Sequence, residues 1–332
     1  MKLGAYYWSG WYSMEGHGLR ERLLDEFPDR EPVWGWVSGT VSDMETEIKI
    51  AKGGGLDFFA FDWYYPMAED KYSPMNDCVD LYLKAKNRDE MEFCLLVANH
   101  DSFRIFRKDW EAVVDLWIPY LKSDRAVKIN GKPLIIFFAG LTECLGGSAA
   151  VRECMDYFHA KAKEAGLAGV FVASCMFPDS VKAKEQIETG RDEGYDGFTG
   201  YNYIDGYHYT GPEPYIHTYA ELADRHVNAW DRFAEYSPLP YLPIVTCGWD
   251  CRPWEPADGS PHRSFYYPDR TPKQVYEFIT KAKEWTEKNA SKTANEKIVM
   301  LYAWNEMGEG GYLMPTKGDP GLYLDAVKRA KG

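Results

Sequence analysis

The clearest chemistry in the chain lies near its C-terminal end, in Trp304-Asn305-Glu306-Met307-Gly308-Glu309-Gly310-Gly311. Two carboxyls three residues apart in a glycine-rich turn make poor packing, because like charges repel once water is withdrawn. They suit a reaction in which one carboxyl takes a proton and another gives one. Cleavage of a glycosidic bond is such a reaction. Crowding raises one pKa and leaves the other group ionised, which separates acid from base at neutral pH. The spacing does not fix the distance between the carboxyls, so retention and inversion of the sugar both stay open.

Other segments supply matching side chains. Tyr6-Tyr7-Trp8, Asp62-Trp63-Tyr64-Tyr65, Asn99-His100-Asp101, Tyr201-Asn202-Tyr203 and Trp249-Asp250 each end an apolar run, with Arg252 just beyond the last. Flat aromatic faces stack on the C–H side of a sugar, while Asp, Asn and His take its hydroxyls. The candidate catalytic residues are therefore Glu306 and Glu309. The candidate substrate-binding residues are Tyr6, Tyr7, Trp8, Asp62, Trp63, Asn99, His100, Tyr201, Tyr203, Trp249, Asp250, Arg252, Trp304 and Asn305. His100 beside Asp101 is read as a hydroxyl partner rather than a metal ligand or base. No Gly-x-Ser-x-Gly elbow supports a serine nucleophile. Cys247 and Cys251 are four apart without a second pair of ligands, so neither metal nor cofactor is expected.

These residues need elements to hold them. Apolar, β-branched and aromatic runs at 3–7, 56–61, 92–98, 133–138, 169–173, 196–201, 241–246 and 297–303 predict strands. They lack polar alternation, as parallel strands covered on both faces do. Helical spacing follows each at 42–53, 76–86, 110–121, 149–166, 181–189, 217–236, 272–288 and 319–330. Ser42-x-x-Glu45 reads as a capping box opening the first helix, which should stop at Gly53-Gly54-Gly55. Eight strand–helix units in order predict a single (β/α)8 barrel, one domain over residues 1–332, with chemistry at the strand C-termini. A doubly wound open sheet is the alternative, but no glycine-rich dinucleotide turn or phosphate loop follows any strand. Residues 211–214 and 253–261 read as loops at the barrel top.

Composition narrows the partners. The 332 residues carry 51 acidic and 38 basic side chains, a formal net charge of −13, with a pI near 5.1. That balance argues against nucleic acid and against docking on an anionic membrane. Mean hydropathy is −0.46 and no run of about 20 apolar residues occurs, so no membrane insertion is expected. Aromatic residues make up 16%, including 12 Trp and 24 Tyr, and their placement at strand ends favours a carbohydrate partner. Seven Cys without framework spacing fit a reducing compartment. As written, the chain opens straight into a strand and is expected to be cytoplasmic, or periplasmic or secreted if an export signal was removed. Nothing in the sequence sets the oligomeric state.

The Trp304–Gly310 motif resembles the one after the eighth strand of glycoside hydrolase family 99-like proteins, a group of endo-α-mannosidases and WbsX-like proteins. Gly248-Trp249-Asp250 with Arg252-Pro253 resembles the group's Gly-Trp-Asp segment after strand seven. Asn130-Gly131-Lys132-Pro133-Leu134 resembles its entry to strand four, and Gly4-Ala5-Tyr6-Tyr7 its first strand. The matches run from end to end in order. The resemblance implies a (β/α)8 barrel and a metal-free hydrolysis without a covalent enzyme intermediate. In it, Glu306 takes a proton from the sugar's 2-hydroxyl, which attacks C1 to give a 1,2-anhydro sugar. Glu309 is acid, then base, and the outcome is retention. The mannosidases carry Trp-His between the glutamates where this chain has Met307-Gly308, closer to the WbsX-like branch. The alternatives are a WbsX-type glycosyltransferase of surface polysaccharide synthesis and an inactive carbohydrate-binding barrel. A transferase using nucleotide sugars usually needs a diphosphate site, and neither Asp-x-Asp nor a phosphate cradle is visible.

Overall fold

A computed structural model describes residues 1–13, 18–36, 39–66, 73–100, 103–138, 140–178, 181–204, 215–255 and 265–332. Asp101 and the segment 211–214 lie outside the described residues, as does most of 253–261. Eight parallel strands form the barrel: β1 (Lys2–Tyr7), β2 (Phe58–Trp63), β3 (Glu92–Val97), β4 (Lys132–Phe137), β5 (Phe171–Cys175), β6 (Gly197–Thr199), β7 (Ile244–Thr246) and β8 (Ile298–Tyr302). Each pairs with the next except β6 with β7, and β8 pairs back onto β1 with Lys2 opposite Ile298. The closure between β6 and β7 is the narrowest. It runs through one parallel bridge, Phe198 to Tyr241, with Leu242 N–H donating to Phe198 O at 2.8 Å.

The helices alternate with the strands: α1 (Val41–Gly53), α2 (Asp77–Lys84), α3 (Trp110–Leu121), α4 (Ser148–Glu164), α5 (Ala183–Asp192), α6 (Tyr219–Tyr236), α7 (Pro272–Lys288) and α8 (Leu322–Lys331). This is a single (β/α)8 barrel. Helix α7 shows why such a segment folds this way. Thr271 caps its N-terminus, Pro272 occupies the first turn, and Val275, Phe278, Ile279, Ala282 and Trp285 form one buried stripe, the spacing of an amphipathic helix. The entry to β4 is a tight hairpin from the two-residue strand Lys128–Ile129. Asn130 and Gly131 both take positive φ, +50° and +78°, as an Asn-Gly turn between paired strands requires.

The start of α1 corrects one expectation. The capping box is Thr40 with Asp43, not Ser42 with Glu45: Thr40 Oγ1 accepts from Asp43 N–H at 3.2 Å, and Asp43 accepts from Thr40 N–H at 2.9 Å. Glu45 instead accepts from Lys86 N–H at 3.0 Å. Both pairs have the right spacing, and only Thr40 has the extended backbone a cap needs.

Side chains alternate between the barrel interior and the layer under the helices. Tyr6 points inward and reaches Gly200 O across the barrel at 2.7 Å. Tyr7 points outward onto Phe59 and Phe61. Between α1 and the barrel sits Glu47, fully buried, accepting from Trp304 Nε1 at 2.7 Å and from Tyr7. Burial pushes its carboxyl up to about 7 despite those donors.

Two outcomes test this picture. Thr40→Ala should cost about 1 kcal/mol in denaturant melts, while Ser42→Ala stays within roughly 0.5 kcal/mol. Glu47 binds its proton more tightly folded than unfolded, so its contribution is complete at low pH and is lost as pH rises through about 7. Glu47→Gln should therefore flatten the fall in stability between pH 5 and 8, by roughly 3 kcal/mol for a shift of this size. An unchanged pH slope would place the titration elsewhere.

Candidate functional site

The chain leaves β8 into a compact turn. Asn305–Glu306 pairs antiparallel with Gly311–Tyr312, and Glu309 N–H donates to Glu306 O at 3.2 Å. Gly310 takes φ +74°, and a Cβ there would fall 2.8 Å from Asp250 N. Only glycine fits that close a crossing. Asn305 is wholly buried and clasps the end of β1: its Oδ1 accepts from Trp8 N–H and its Nδ2 donates to Trp8 O, each at 2.8 Å. Its carbonyl accepts from Trp11 Nε1 at 2.7 Å. The turn is thereby tied to the neighbouring strand, and Glu306 and Glu309 face the mouth of the barrel.

Both glutamates line a pocket of about 680 Å³, the size of a typical small-molecule site. Asp62 joins them at its wall, with Trp8, Tyr64, His100, Phe103, Phe138, Phe177, Tyr201, Asn202, Trp249 and Trp254 among the others. No Lys or Arg occurs among the described lining residues. Tyr201 O–H donates to Glu306 Oε1 at 2.8 Å, and Tyr302 O–H donates to Glu309 Oε2. Burial pushes Glu306 well above the usual carboxylate range, with Glu309 and Asp62 adding repulsion and Tyr201 opposing it. Burial lifts Glu309 to about 7, against the Tyr302 hydrogen bond. Asp62 is raised by burial and then by Glu309. Its Oδ1 is buried with no hydrogen-bond partner among the described residues. Glu306 is the deeper of the two glutamates, and Glu309 keeps partial exposure. Near neutral pH such a cluster retains protons, and its members titrate as a group.

Of the residues singled out from the sequence, Trp8, Asp62, His100, Tyr201, Trp249, Glu306 and Glu309 come together at the pocket. The others do not line it. Tyr6 lies beneath Tyr201, ring centroids 5.1 Å apart. Tyr203 bonds Met176 O and the Tyr241 hydroxyl at 3.0 and 2.9 Å. Asn99 Oδ1 accepts from Ile105 N–H at 2.8 Å and so shapes its own loop. Tyr7, Trp63 and Trp304 face outward, Trp63 packing edge-on against Trp117 of α3. Strand alternation explains the first two, since each follows an inward residue. Asp250 and Arg252 pair with each other behind the turn, at 2.7 Å through both carboxyl oxygens. Asn305 and Trp304 hold the turn in place.

Reading the sequence passed over Tyr302, the donor to Glu309, because it sits inside an apolar strand. It also passed over Phe138, Phe177 and Trp254. Phe138 ends the apolar run of β4 and could have been found there; Trp254 follows Arg252 by two residues. Arg30, buried behind the turn, has no local signal. Among the described residues no group of three His, Cys, Asp or Glu side chains could hold a metal ion, and all seven cysteines are free. No helix among the described residues is long and apolar enough to cross a membrane.

The sequence profile of the family described as Glycosyltransferase WbsX matches residues 39–327. The chain belongs to the WbsX family. No curated protein matches it. Among solved structures, this WbsX-family barrel is similar to a glycoside hydrolase-like protein, at 14% identity and TM-score 0.67 over 99% of this chain and 93% of that one. It is also similar to the family 99 endo-α-mannosidase from Bacteroides thetaiotaomicron, at 14% identity and TM-score 0.66, covering 99% and 96%. A second structure of that enzyme, in complex with BIS-TRIS-propane, gives 15% and 0.65, covering 99% and 95%. At these identities the likeness is one of fold: the WbsX-family chain shares its (β/α)8 barrel with these proteins.

The phenol on Glu309 offers a direct check. Tyr302→Phe removes a donor that favours the ionised carboxylate, so Glu309 should titrate above its present value of about 7. A ¹³C NMR titration of glutamate carboxyls reads this without any substrate. A midpoint that stays or falls would mean that Tyr302 does not control this group.

Proposed function

We propose that this WbsX-family protein is a retaining glycoside hydrolase of oligo- or polysaccharides, one catalytic domain over residues 1–332 with Glu306 and Glu309 as its carboxyl pair. One observation carries the reading: two desolvated glutamates in one aromatic-walled pocket, each with its own phenol donor. Trp8, Trp249, Tyr201 and Phe138 offer faces for sugar rings, and Asp62, His100 and Asn202 offer partners for hydroxyls. The absence of Lys and Arg among the described lining residues favours an uncharged glycan over a uronic acid polymer.

In this reading the pair holds one proton, which favours the more strongly raised Glu306 before substrate binds and passes to Glu309 when the sugar's 2-hydroxyl donates to Glu306. Glu306, the deeper group, accepts the proton of the sugar's 2-hydroxyl as that oxygen attacks C1, while Glu309 gives its proton to the departing glycosidic oxygen. Glu309, partly exposed at the mouth, then takes a proton from water as the water oxygen opens the 1,2-anhydro ring at C1. Glu306 returns its proton to O2. Both carboxyls end as they began, and the two inversions at C1 amount to retention. Ordinary retaining glycosidases use a nucleophilic carboxylate in place of the 2-hydroxyl.

The family's name favours a second reading, glycosyl transfer. A nucleotide-sugar donor brings a diphosphate, which proteins usually meet with Arg, Lys or a divalent metal. The described pocket instead presents three carboxyls, and that weighs toward hydrolysis.

On a glycan that the wild type cleaves, Glu306→Gln and Glu309→Gln should each lower kcat about 10²–10⁴-fold while keeping the fold by circular dichroism. A 2-deoxy-2-fluoro analogue should bind without turnover and without adding mass to the protein. A covalent adduct on Glu306 would keep the glycosidase and remove the 2-hydroxyl mechanism. Turnover that requires a nucleotide-sugar donor would replace hydrolysis with transfer.

A further inference from the structure

The turn that carries both glutamates is held from behind by a cluster that does not line the pocket. Arg30 is 8% exposed. Its Nη1 donates to Met307 O at 2.9 Å and to Asp250 O at 3.0 Å, and its Nη2 pairs with Asp250 Oδ2 at 2.5 Å. Asp250 N–H donates to Glu309 O at 2.7 Å. The carbonyl after Glu306 and the carbonyl of Glu309 are thus bound to the same ion pair. Arg252 chelates the Asp250 carboxyl from its other side and stacks over Tyr266 at 4.4 Å. Burial alone would raise Asp250, yet Arg252 and Arg30 hold it below the usual carboxylate range. On the far side Arg270 Nη1 donates to Cys247 O at 2.7 Å and Gly310 O at 3.2 Å.

We propose that Arg30 and Asp250 are positioning residues that set the separation of Glu306 and Glu309, acting on the turn's backbone and never touching substrate. The proposal rests on the reading of those glutamates as the catalytic pair. An ion pair that served stability alone could bond anywhere. This one spends a buried guanidinium on Met307 O, between the two glutamates, and its partner's amide on Glu309 itself. Separation matters because proton exchange with one sugar needs both carboxyls within hydrogen-bond reach of it, and a misplacement of about 1 Å can cost roughly 10²-fold in rate.

The test uses the whole chain with ¹³C-labelled glutamate carboxyls, Glu306→Gln and Glu309→Gln serving to assign the two resonances. Asp62, Tyr64, Tyr201 and His100 remain in the pocket, Tyr302 remains on Glu309, Arg252 remains on Asp250 and Arg270 remains on Cys247 O and Gly310 O in every variant. In folded Arg30→Met the two midpoints should draw together by about one pH unit as the carboxyls separate and repel less. On a cleaved glycan kcat should fall roughly 10²-fold with KM within about threefold. Arg30→Lys, which can still donate to Met307 O, should restore part of both. Asp250→Asn, which keeps the amide and loosens Arg30, should fall between wild type and Arg30→Met. A lower Tm with wild-type midpoints in Arg30→Met would make the pair a fold-stabilising one and overturn the proposal. Should Arg30→Met not fold, wild-type midpoints in both Arg30→Lys and Asp250→Asn overturn it equally. Shifted midpoints in a protein inactive on every glycan would remove the catalytic reading and leave the positioning of the carboxyls standing.

Discussion

Withdrawing a carboxylate from water costs several kcal/mol unless hydrogen bonds or a counter-charge offset it. Here Glu306, Glu309 and Asp62 are withdrawn together. The pocket compensates with phenols rather than cations, Tyr201 for Glu306 and Tyr302 for Glu309. The choice has a chemical consequence. A phenol favours the ionised form modestly and leaves a carboxyl able to take and release a proton. A buried guanidinium does more, as Asp250 shows between Arg30 and Arg252, where the carboxyl falls below its usual range and is fixed in the charged state. Acid–base work near neutral pH needs the first environment. The second suits a group whose task is to hold backbone.

The chain keeps the two environments apart by putting a turn of backbone between them. Arg30, Arg252 and Arg270 bind carbonyls or Asp250 and none of them lines the pocket, while the carboxyls face it. That separation explains why Asp250 and Arg252 mislead when read from sequence alone. Their residue types suit sugar hydroxyls, and their position after β7 is where a barrel keeps its chemistry. Which side of a turn a side chain takes depends on partners such as Arg30, some 220 residues away in the chain, and no local pattern carries that information.

The barrel itself was legible. Strand order, the helix after each strand and the strand-end location of the chemistry follow from apolar runs and 3.6-residue spacing, and each of the eight units lies within a few residues of its expected place. The capping box of α1 shows the limit of that reading: Thr40/Asp43 and Ser42/Glu45 obey the same spacing rule, and the extended backbone of Thr40 decides between them. Seven of the seventeen described lining residues of the pocket, its three carboxyls among them, were legible in the sequence. The alternation of side chains along a strand accounts for the misplacements. Neighbouring residues in a strand face opposite ways, so Tyr6 with Tyr7, or Asp62 with Trp63, could not both reach one pocket. Tyr302 and Trp254 stayed hidden for the opposite reason, one buried in an apolar strand and the other beyond its end.

The two residues between the glutamates show how the motif and the pocket wall depend on each other. Met307 is fully buried, so its side chain serves packing while its carbonyl serves Arg30. Gly308 lies against Trp254, and a Cβ there would come within 2.7 Å of Trp254 Nε1. The endo-α-mannosidases that this motif resembles carry Trp-His at these two positions. A histidine at 308 is sterically incompatible with Trp254 where it now stands at the pocket wall. Here Trp254, from the segment after β7, supplies an aromatic face at the wall of the pocket that holds both glutamates. Moving a flat apolar face relative to the glutamates changes which face of a sugar it can cover while its anomeric carbon sits between them. On the proposed reading, Met307-Gly308 with Trp254 is therefore the place where a change in the wall would alter the sugar held while leaving both glutamates where they are.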